Sequence, residues 1–85
     1  MVMQKKSFVD KTFEKEEFVS ETFTKCEFLN CTFNDCDFSD ALFTECEFEE
    51  CTFSVCNLSN IRLNGSYLKE ILFKDSKILG VDFEA

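Results

Sequence analysis

Apolar side chains recur along this chain with a period of five residues. Every fifth position from residue 8 to residue 83 carries Phe, Leu or Ile, and all twelve Phe of the sequence occupy this position, which we call the centre. The centres are Phe8, Phe13, Phe18, Phe23, Phe28, Phe33, Phe38, Phe43, Phe48, Phe53, Leu58, Leu63, Leu68, Phe73, Ile78 and Phe83. Twelve residues placed at random would share one of five phases with odds of roughly one in fifty million. The period is therefore a property of the fold.

A second position, two residues before each centre, is restricted in size, and we call it the small slot. All six Cys occupy it, and from residue 26 onward it otherwise holds only Ala, Ser, Ile or Val. The three remaining positions are mostly polar or charged. An α-helix repeats every 3.6 residues and a β-strand every two, so this period fits neither. Two inward positions in five predict a chain that turns a corner every five residues, and four corners close a square coil.

The units "CEFLN", "CTFND", "CDFSD" and "CNLSN" resemble the pentapeptide-repeat family, whose units read small, polar, Leu or Phe, polar, any residue. The resemblance covers residues 6–85 without an insertion, whereas "KTFEK" and "EEFVS" depart from it at the small slot. It implies an all-β fold, a right-handed quadrilateral parallel β-helix with about four coils of twenty residues. It also implies that centres twenty residues apart stack in ladders, such as Phe8 on Phe28 and Phe48.

A chain of 85 residues makes one domain at most, and we predict a single β-helix domain over residues 1–85. Residues 6–25 are expected to form a polar N-terminal capping coil, because their small slots carry charged side chains that are costly to bury. These side chains are Lys6, Lys11, Glu16 and Glu21. A poorly formed first coil is the alternative. Residues 26–85 are expected to form the regular coils.

The last coil presents apolar side chains at the corresponding end. The candidate interface residues are Phe73, Ile78, Leu79, Val81 and Phe83. Proteins normally cover an open β-edge and an exposed apolar patch. We therefore expect a homodimer through the C-terminal coil, which the resemblance to quinolone-resistance members of the family also implies, or a chain that continues in a longer protein.

The cysteines form two triplets twenty residues apart, which predicts three stacked pairs. Burial of reduced thiols is the favoured interpretation, because free Cys is among the most buried residue types. The N-terminal sequence turns polar at once and contains no export signal, so we expect a cytoplasmic protein. Thiol-based metal binding and stacked disulfides such as Cys26 with Cys46 are the alternatives.

Enzyme activity is not expected. The sequence contains no His to activate a thiol or hydroxyl nucleophile, and a regular coil offers no long loop around which a pocket could form. We accordingly predict no cofactor, no metal and no catalytic residue.

Acidic residues are concentrated between Lys25 and Arg62, where the sequence has no basic residue. The candidate partner-binding residues are Glu27, Asp37, Asp40, Glu45, Glu47, Glu49 and Glu50. The formal charge of −8 argues against direct binding to nucleic acid or to an anionic membrane, both of which require Lys and Arg. No apolar run approaches the length of a membrane span. The charge favours a basic protein surface as the partner.

The resemblance gives that partner a class, because some pentapeptide-repeat proteins imitate duplex DNA and occupy the DNA-binding saddle of gyrase. Four coils stacked about 4.8 Å apart would carry about one charge per 2.4 Å, against about one per 1.7 Å in duplex DNA. The leading hypothesis is a non-catalytic acidic protein-binding module that mimics DNA toward DNA gyrase or topoisomerase IV. The alternatives are a purely structural solenoid rod or spacer, and the N-terminal part of a longer pentapeptide-repeat protein.

Overall fold

The chain turns every five residues because one residue in five adopts a left-handed backbone conformation. In the computed structural model, which describes residues 2–81, φ is positive at every fifth residue from Lys5 to Gly80 and lies between 47° and 68°. Each of these corner residues follows a centre by two positions. Of the corner residues, Gly65 and Gly80 adopt this conformation without the steric cost that a Cβ atom brings.

Between corners the chain forms three-residue strands, each with a centre residue in the middle. The strands are β1 (Val2–Gln4), β2 (Ser7–Val9), β3 (Thr12–Glu14), β4 (Thr22–Thr24), β5 (Glu27–Leu29), β6 (Thr32–Asn34), β7 (Leu42–Thr44), β8 (Glu47–Glu49), β9 (Thr52–Ser54), β10 (Arg62–Asn64), β11 (Tyr67–Lys69) and β12 (Leu72–Lys74). The alternation of side chains along a strand turns the centre inward and its two neighbours outward.

The strands form three parallel sheets. The first contains β1, β4, β7 and β10, the second β2, β5, β8 and β11, and the third β3, β6, β9 and β12. The fourth side, which we call the bridge face, is joined by isolated parallel bridges from Glu17 to Asp37 to Asn57 to Lys77. The register is twenty residues on every side, as in the pairing of Phe28 with Phe48. This geometry confirms the predicted all-β parallel solenoid of about four turns.

The bridge face is closed by a tighter turn than the other corners. The Glu21 amide donates a hydrogen bond to the Phe18 carbonyl oxygen at 3.1 Å, and Ala41 does the same to Phe38 at 3.0 Å. This contact within one coil takes the place of part of the ladder between coils. The bridge face therefore carries bridges in place of strands.

Phe rings stack along the interior in the predicted ladders. The centroids of Phe8 and Phe28 lie 5.0 Å apart, those of Phe28 and Phe48 lie 4.7 Å apart, and both pairs are within 13° of parallel. Edge contacts, such as Phe33 with Phe38 at 5.3 Å, join neighbouring ladders. Phe83, predicted to continue one of these ladders, lies outside the described residues.

The sequence pattern missed one centre. Met3 lies in the middle of β1 and pairs with Phe23, so the first sheet begins one unit before Phe8. Met is flexible and fills irregular gaps, which is how it substitutes for Phe at this position.

The end coils of the interior are less buried than the middle coils. Among the described residues, all buried apolar side chains lie within residues 23–63. Phe8 and Phe18 in the first coil are half-buried, as are Leu68 and Ile78 in the last. Of the charged small-slot side chains, Lys6, Lys11 and Glu16 are exposed and Glu21 is half-buried. The polar capping coil over residues 6–25 stays a prediction.

The molecule is nearly as wide as it is long. Its extents are 28 × 27 × 25 Å. Four coils are too few to make the stacking axis longer than the coil is broad, so the chain is not an elongated rod.

Candidate protein-binding surface

The second sheet carries a stack of carboxylates. Glu27 of β5 and Glu47 of β8 are register partners, and Glu49 follows Glu47 on the same strand. Glu27 and Glu47 are exposed, and Glu49 is half-buried. The Ser7 hydroxyl donates a 3.4 Å hydrogen bond to Glu27 Oε1. In a parallel sheet, register partners lie about 4.8 Å apart, so Glu27 and Glu47 repel one another.

Two corner residues extend this stack on either side. Glu45 precedes β8 and Glu50 follows it, each exposed and each in the left-handed conformation. Among the described residues, Glu45, Glu47, Glu49 and Glu50 have no hydrogen-bond or ion-pair partner for their carboxylates. We call Glu27, Glu45, Glu47, Glu49 and Glu50 the acidic surface.

Two of the predicted partner-binding residues lie elsewhere. Asp37 is on the bridge face, and Asp40 is the corner residue between the bridge face and the first sheet. Asp37 accepts a 3.0 Å hydrogen bond from the Ser39 amide. The bridge face does not adjoin the second sheet around the coil. One flat partner surface therefore cannot contact all seven predicted residues at once.

The charge is banded along the stacking axis. Residues 26–61 carry eight acidic and no basic side chains, residues 2–25 carry five of each, and residues 62–81 carry four basic and two acidic ones. The middle of the solenoid is strongly negative between two ends of mixed charge.

The described residues of the predicted C-terminal interface are half-buried or exposed. Phe73 is half-buried and stacks on Phe53 with centroids 5.5 Å apart. Ile78 and Val81 are half-buried, and Leu79 is 60% exposed. Phe83 lies outside the described residues.

The cysteines act as hydrogen-bond donors between coils. Each thiol points to the carbonyl oxygen of a centre residue in the preceding coil, 23 residues earlier, with S···O distances of 3.2–3.6 Å. Ser66 and Ser76 make the same contact through Oγ, at 2.8 Å to Phe43 and 3.1 Å to Phe53. Cys was predicted at this slot for its size alone, and its role as a donor was missed. The signal was present, since Ser replaces Cys at two slots of the last coil.

The first sheet shows why some slots hold no such donor. Its slot residues include Ala41 and Ile61. The carbonyl 23 residues before Ala41 belongs to Phe18, which already accepts the backbone amide of Glu21 in its own coil. An aliphatic side chain therefore suffices there.

Burial lowers the reactivity of four of the thiols. It raises the pKa of Cys51 and Cys56 to about 11 and also raises the pKa of Cys36 and Cys46 above the usual thiol value. The thiolate is the nucleophile and the metal ligand, so these side chains stay protonated at neutral pH. All six cysteines are free and buried.

The fold and register just described are those of a known repeat. The sequence model of the pentapeptide repeat region matches residues 6–83. The chain belongs to the pentapeptide-repeat family.

Solved structures offer distant likenesses to this pentapeptide-repeat protein. A pentapeptide repeat protein from the thylakoid lumen of Arabidopsis thaliana shares 24% identity with a TM-score of 0.48, over 95% of this chain and 63% of that one. QnrB1, a plasmid-mediated fluoroquinolone resistance protein, shares 18% identity with a TM-score of 0.41, over 91% of this chain and 48% of that one. No curated protein sequence matches the chain. The chain thus spans less than two thirds of either solved protein.

Two recesses of this pentapeptide-repeat protein are apolar. One lies in the first two coils, lined by Met3, Phe8 and neighbouring rings, and one in the last two, lined by Leu63, Leu68 and neighbouring rings. Within residues 2–81, no group of three or more Cys, Asp or Glu side chains is arranged to hold a metal ion. No helix in the same range is long and apolar enough to span a membrane.

Proposed function

We propose that this protein is a non-catalytic binding module whose acidic surface engages a basic surface on a partner protein. The observation that carries the proposal is the register pairing of Glu27 with Glu47, beside the unpaired Glu49 and Glu50. Like charges on neighbouring strands destabilise a sheet. A partner with Lys and Arg side chains would neutralise this repulsion, so binding would relieve a strain that folding creates.

The partner class we propose is a type II topoisomerase, DNA gyrase or topoisomerase IV, with the acidic surface in place of DNA. The acidic surface carries five acidic side chains in two coils. Two coils span about 10 Å, so its density is about one charge per 2 Å, close to the value of about one per 1.7 Å in duplex DNA. The match is one of charge density, since 10 Å corresponds to only about three base pairs.

Absence of catalysis is part of the proposal. It is supported by the lack of His in the sequence, by the raised thiol pKa values of Cys51 and Cys56, and by recesses lined with apolar side chains. Direct binding to nucleic acid or to a membrane is not proposed, because the exposed middle coils are acidic.

A cytoplasmic location is proposed on the role of the thiols. Each Cys donates its S–H to a carbonyl oxygen, a contact that a disulfide would remove. A reducing compartment preserves these donors.

A structural spacer, or a segment of a longer solenoid, is the second candidate. The half-buried centres Phe8, Phe18, Leu68 and Ile78 at the two ends favour it, since further coils would bury them. A spacer needs no carboxylates at defined positions, so charge reversal distinguishes the two candidates.

The test is a gyrase supercoiling titration with the parent protein and the combined variant Glu47→Lys, Glu49→Lys and Glu50→Lys, at several salt concentrations. We expect the parent to inhibit supercoiling at micromolar concentration, and the variant to need at least tenfold more protein. Inhibition by the parent should weaken as salt rises, because a charge-driven contact is screened.

The control is a position-matched reversal on other faces, Glu14→Lys, Glu17→Lys and Asp35→Lys. It changes the net charge equally and replaces residues at the same places in the five-residue unit, so it should inhibit like the parent. Equal loss in both variants would show that only net charge matters. No inhibition by the parent up to tens of micromolar, a range that covers weak encounters, would rule out the topoisomerase.

A further inference from the structure

The first and last coils present complementary edges. Among residues 2–81, strands β2 and β3 at one end and β11 and β12 at the other have a neighbour on one side only. All strands are parallel, so the edge of the last coil has the same direction and hydrogen-bonding pattern as the edge that each inner coil offers to the next. A second copy could continue the solenoid by the pairing that already joins coils within the chain.

The twenty-residue register specifies which side chains would meet. A residue in the last coil would face the residue sixty positions earlier in the next copy. Three columns of side chains begin with one charge and end with the opposite one. The facing pairs are Lys74 with Glu14, Asp75 with Lys15, and Lys77 with Glu17.

Side chains in such columns do contact one another within the chain. The Asn30 amide nitrogen donates a 2.7 Å hydrogen bond to Asp10 Oδ1, across twenty residues. The opposite charges listed above would therefore come within ion-pair distance. One pair opposes the stack, since Glu70 would face Asp10 at the corner that follows the second sheet.

Apolar side chains at the two ends match as well. Leu68 would lie over Phe8 and Ile78 over Phe18, and all four are half-buried in the single chain. Leu79, which is 60% exposed, would meet Val19, which is 45% exposed. The first two contacts would extend the interior along the second sheet and the bridge face.

We propose that copies of this chain stack head to tail, with the last coil of one copy on the first coil of the next. The second sheet, the third sheet and the bridge face make the contact. The first sheet is left out, because residues 82–85, which follow Val81 in the chain, lie outside the described residues. This self-association goes beyond the proposed function and does not depend on it.

The contact is expected to be weak. A face of the size given by the extents of the molecule buries on the order of 600 Å² per copy, at the low end for specific interfaces. The exposed Lys6, Lys11 and Glu16 of the next copy would lose water, which lowers the affinity further. A dissociation constant on the order of hundreds of micromolar follows. The stack is therefore not populated in the micromolar supercoiling titration. A negative result for one proposal leaves the other untouched.

The test is sedimentation velocity of the full chain from about ten micromolar to the millimolar range at low salt. We expect the weight-average mass to rise steadily past that of a dimer. A two-fold dimer through the last coil would instead level off at two copies, and a constant monomer mass would show no association. Either result would overturn the proposal.

Charge-swapped variants identify the contact. The variant Lys74→Glu with Lys77→Glu should fail to associate by itself, and so should Glu14→Lys with Glu17→Lys, each with affinity lowered at least tenfold. An equimolar mixture should associate again, because opposite charges then meet at every junction. Unchanged association of either variant, or no recovery in the mixture, would contradict the proposed register. Thermal unfolding of each variant checks that these exposed substitutions leave the fold intact.

Discussion

At the scale of single residues, the small slot selects a hydrogen-bond donor as well as a small side chain. Cys51 donates to the Phe28 carbonyl at 3.3 Å, and Ser66 makes the equivalent contact with a hydroxyl. Both side chains fit beside a Phe ring and satisfy a carbonyl of the coil below. This explains why Cys and Ser exchange at this position while Ala appears where the carbonyl already has a backbone donor.

Replacement of Cys51 should separate the contributions of side-chain size and of hydrogen bonding to the free energy of unfolding. Cys51→Ala loses the donor and the packing of sulfur, and we expect it to lower the free energy of unfolding by about 2 kcal/mol. Cys51→Ser keeps a donor and should lower it by less. Urea unfolding of the three proteins measures this order. Equal losses for Ala and Ser would show that packing alone matters at this slot.

Stability should fall in alkaline solution because of the same thiols. The pKa of Cys51 and Cys56 is about 11 in the folded protein and near 9.0 when exposed, so between these values the unfolded chain has lost protons that the folded chain retains. The contribution of these thiols to the free energy of unfolding is complete below pH 9. It is lost as pH rises to 11, by an amount on the order of 2 kcal/mol per thiol. Urea unfolding at pH 8 and pH 10.5 tests this. Between these two pH values the double variant Cys51→Ser with Cys56→Ser should lose less free energy of unfolding than the parent. An equal loss would mean that other groups cause the effect.

Val55 is the corner residue least suited to its conformation. It is β-branched, 56% exposed, and has φ of 54°. A non-Gly residue pays about 1–2 kcal/mol in this region, so Val55→Gly should raise the free energy of unfolding by about 1 kcal/mol. The matched control is Val9→Gly, where Val9 is 50% exposed but lies in strand β2, and there Gly should destabilise. Destabilisation at both sites would contradict the account of the corner.

At the scale of secondary-structure elements, the second sheet combines a well-paired backbone with unfavourable charge. Glu27 and Glu47 are register partners, and the next residue in the column is Tyr67. The sheet tolerates the repulsion because stacked rings such as Phe28 and Phe48 hold the strands together.

Glu47→Gln should therefore raise stability while it weakens partner binding. Removal of one like charge at a register pair is expected to raise the free energy of unfolding by about 0.5 kcal/mol at low salt, and by less at high salt. Glu14→Gln is the control, because its register partner Asn34 is uncharged. Urea unfolding at two salt concentrations measures both, and an equal gain in the two variants would mean that net charge, not the register pair, is responsible.

At the scale of the whole molecule, burial is concentrated in the middle of the stack. Among the described residues, the buried side chains lie within residues 23–63, and the centres before and after that range are half-buried. Each coil contacts only its neighbours, so the stability of an end coil depends on a single interface.

Hydrogen exchange should follow this gradient. Amides of β5, β6, β8 and β9 should be the slowest to exchange, and those of β2, β3, β11 and β12 should exchange at least tenfold faster through opening of the end coils. Mass spectrometry of exchanged peptides measures the difference. Uniform protection along the chain would show that the solenoid opens only as a single unit. Stacking of copies at high concentration should slow the end coils selectively.

The sequence by itself determined that the chain turns every five residues with two inward positions, and its resemblance to the pentapeptide-repeat family implied a four-sided coil with a twenty-residue register. That arrangement placed Phe28 under Phe48 and Glu27 beside Glu47. The left-handed corners and Met3 were not apparent, because no residue type marks the former and a single Met does not resemble Phe.

Only the tertiary structure decided which acidic residues share a surface. Asp37 and Glu47 have the same place in the five-residue unit, but Asp37 lies on the bridge face and Glu47 lies on the second sheet. It also gave the thiols their role as donors, since Cys51 and Phe28 lie 23 residues apart and meet only when one coil rests on another. The physical reason is the same in both cases. A repeat fixes what each unit does locally, whereas charge and hydrogen-bond partners depend on which units the closed coil brings side by side.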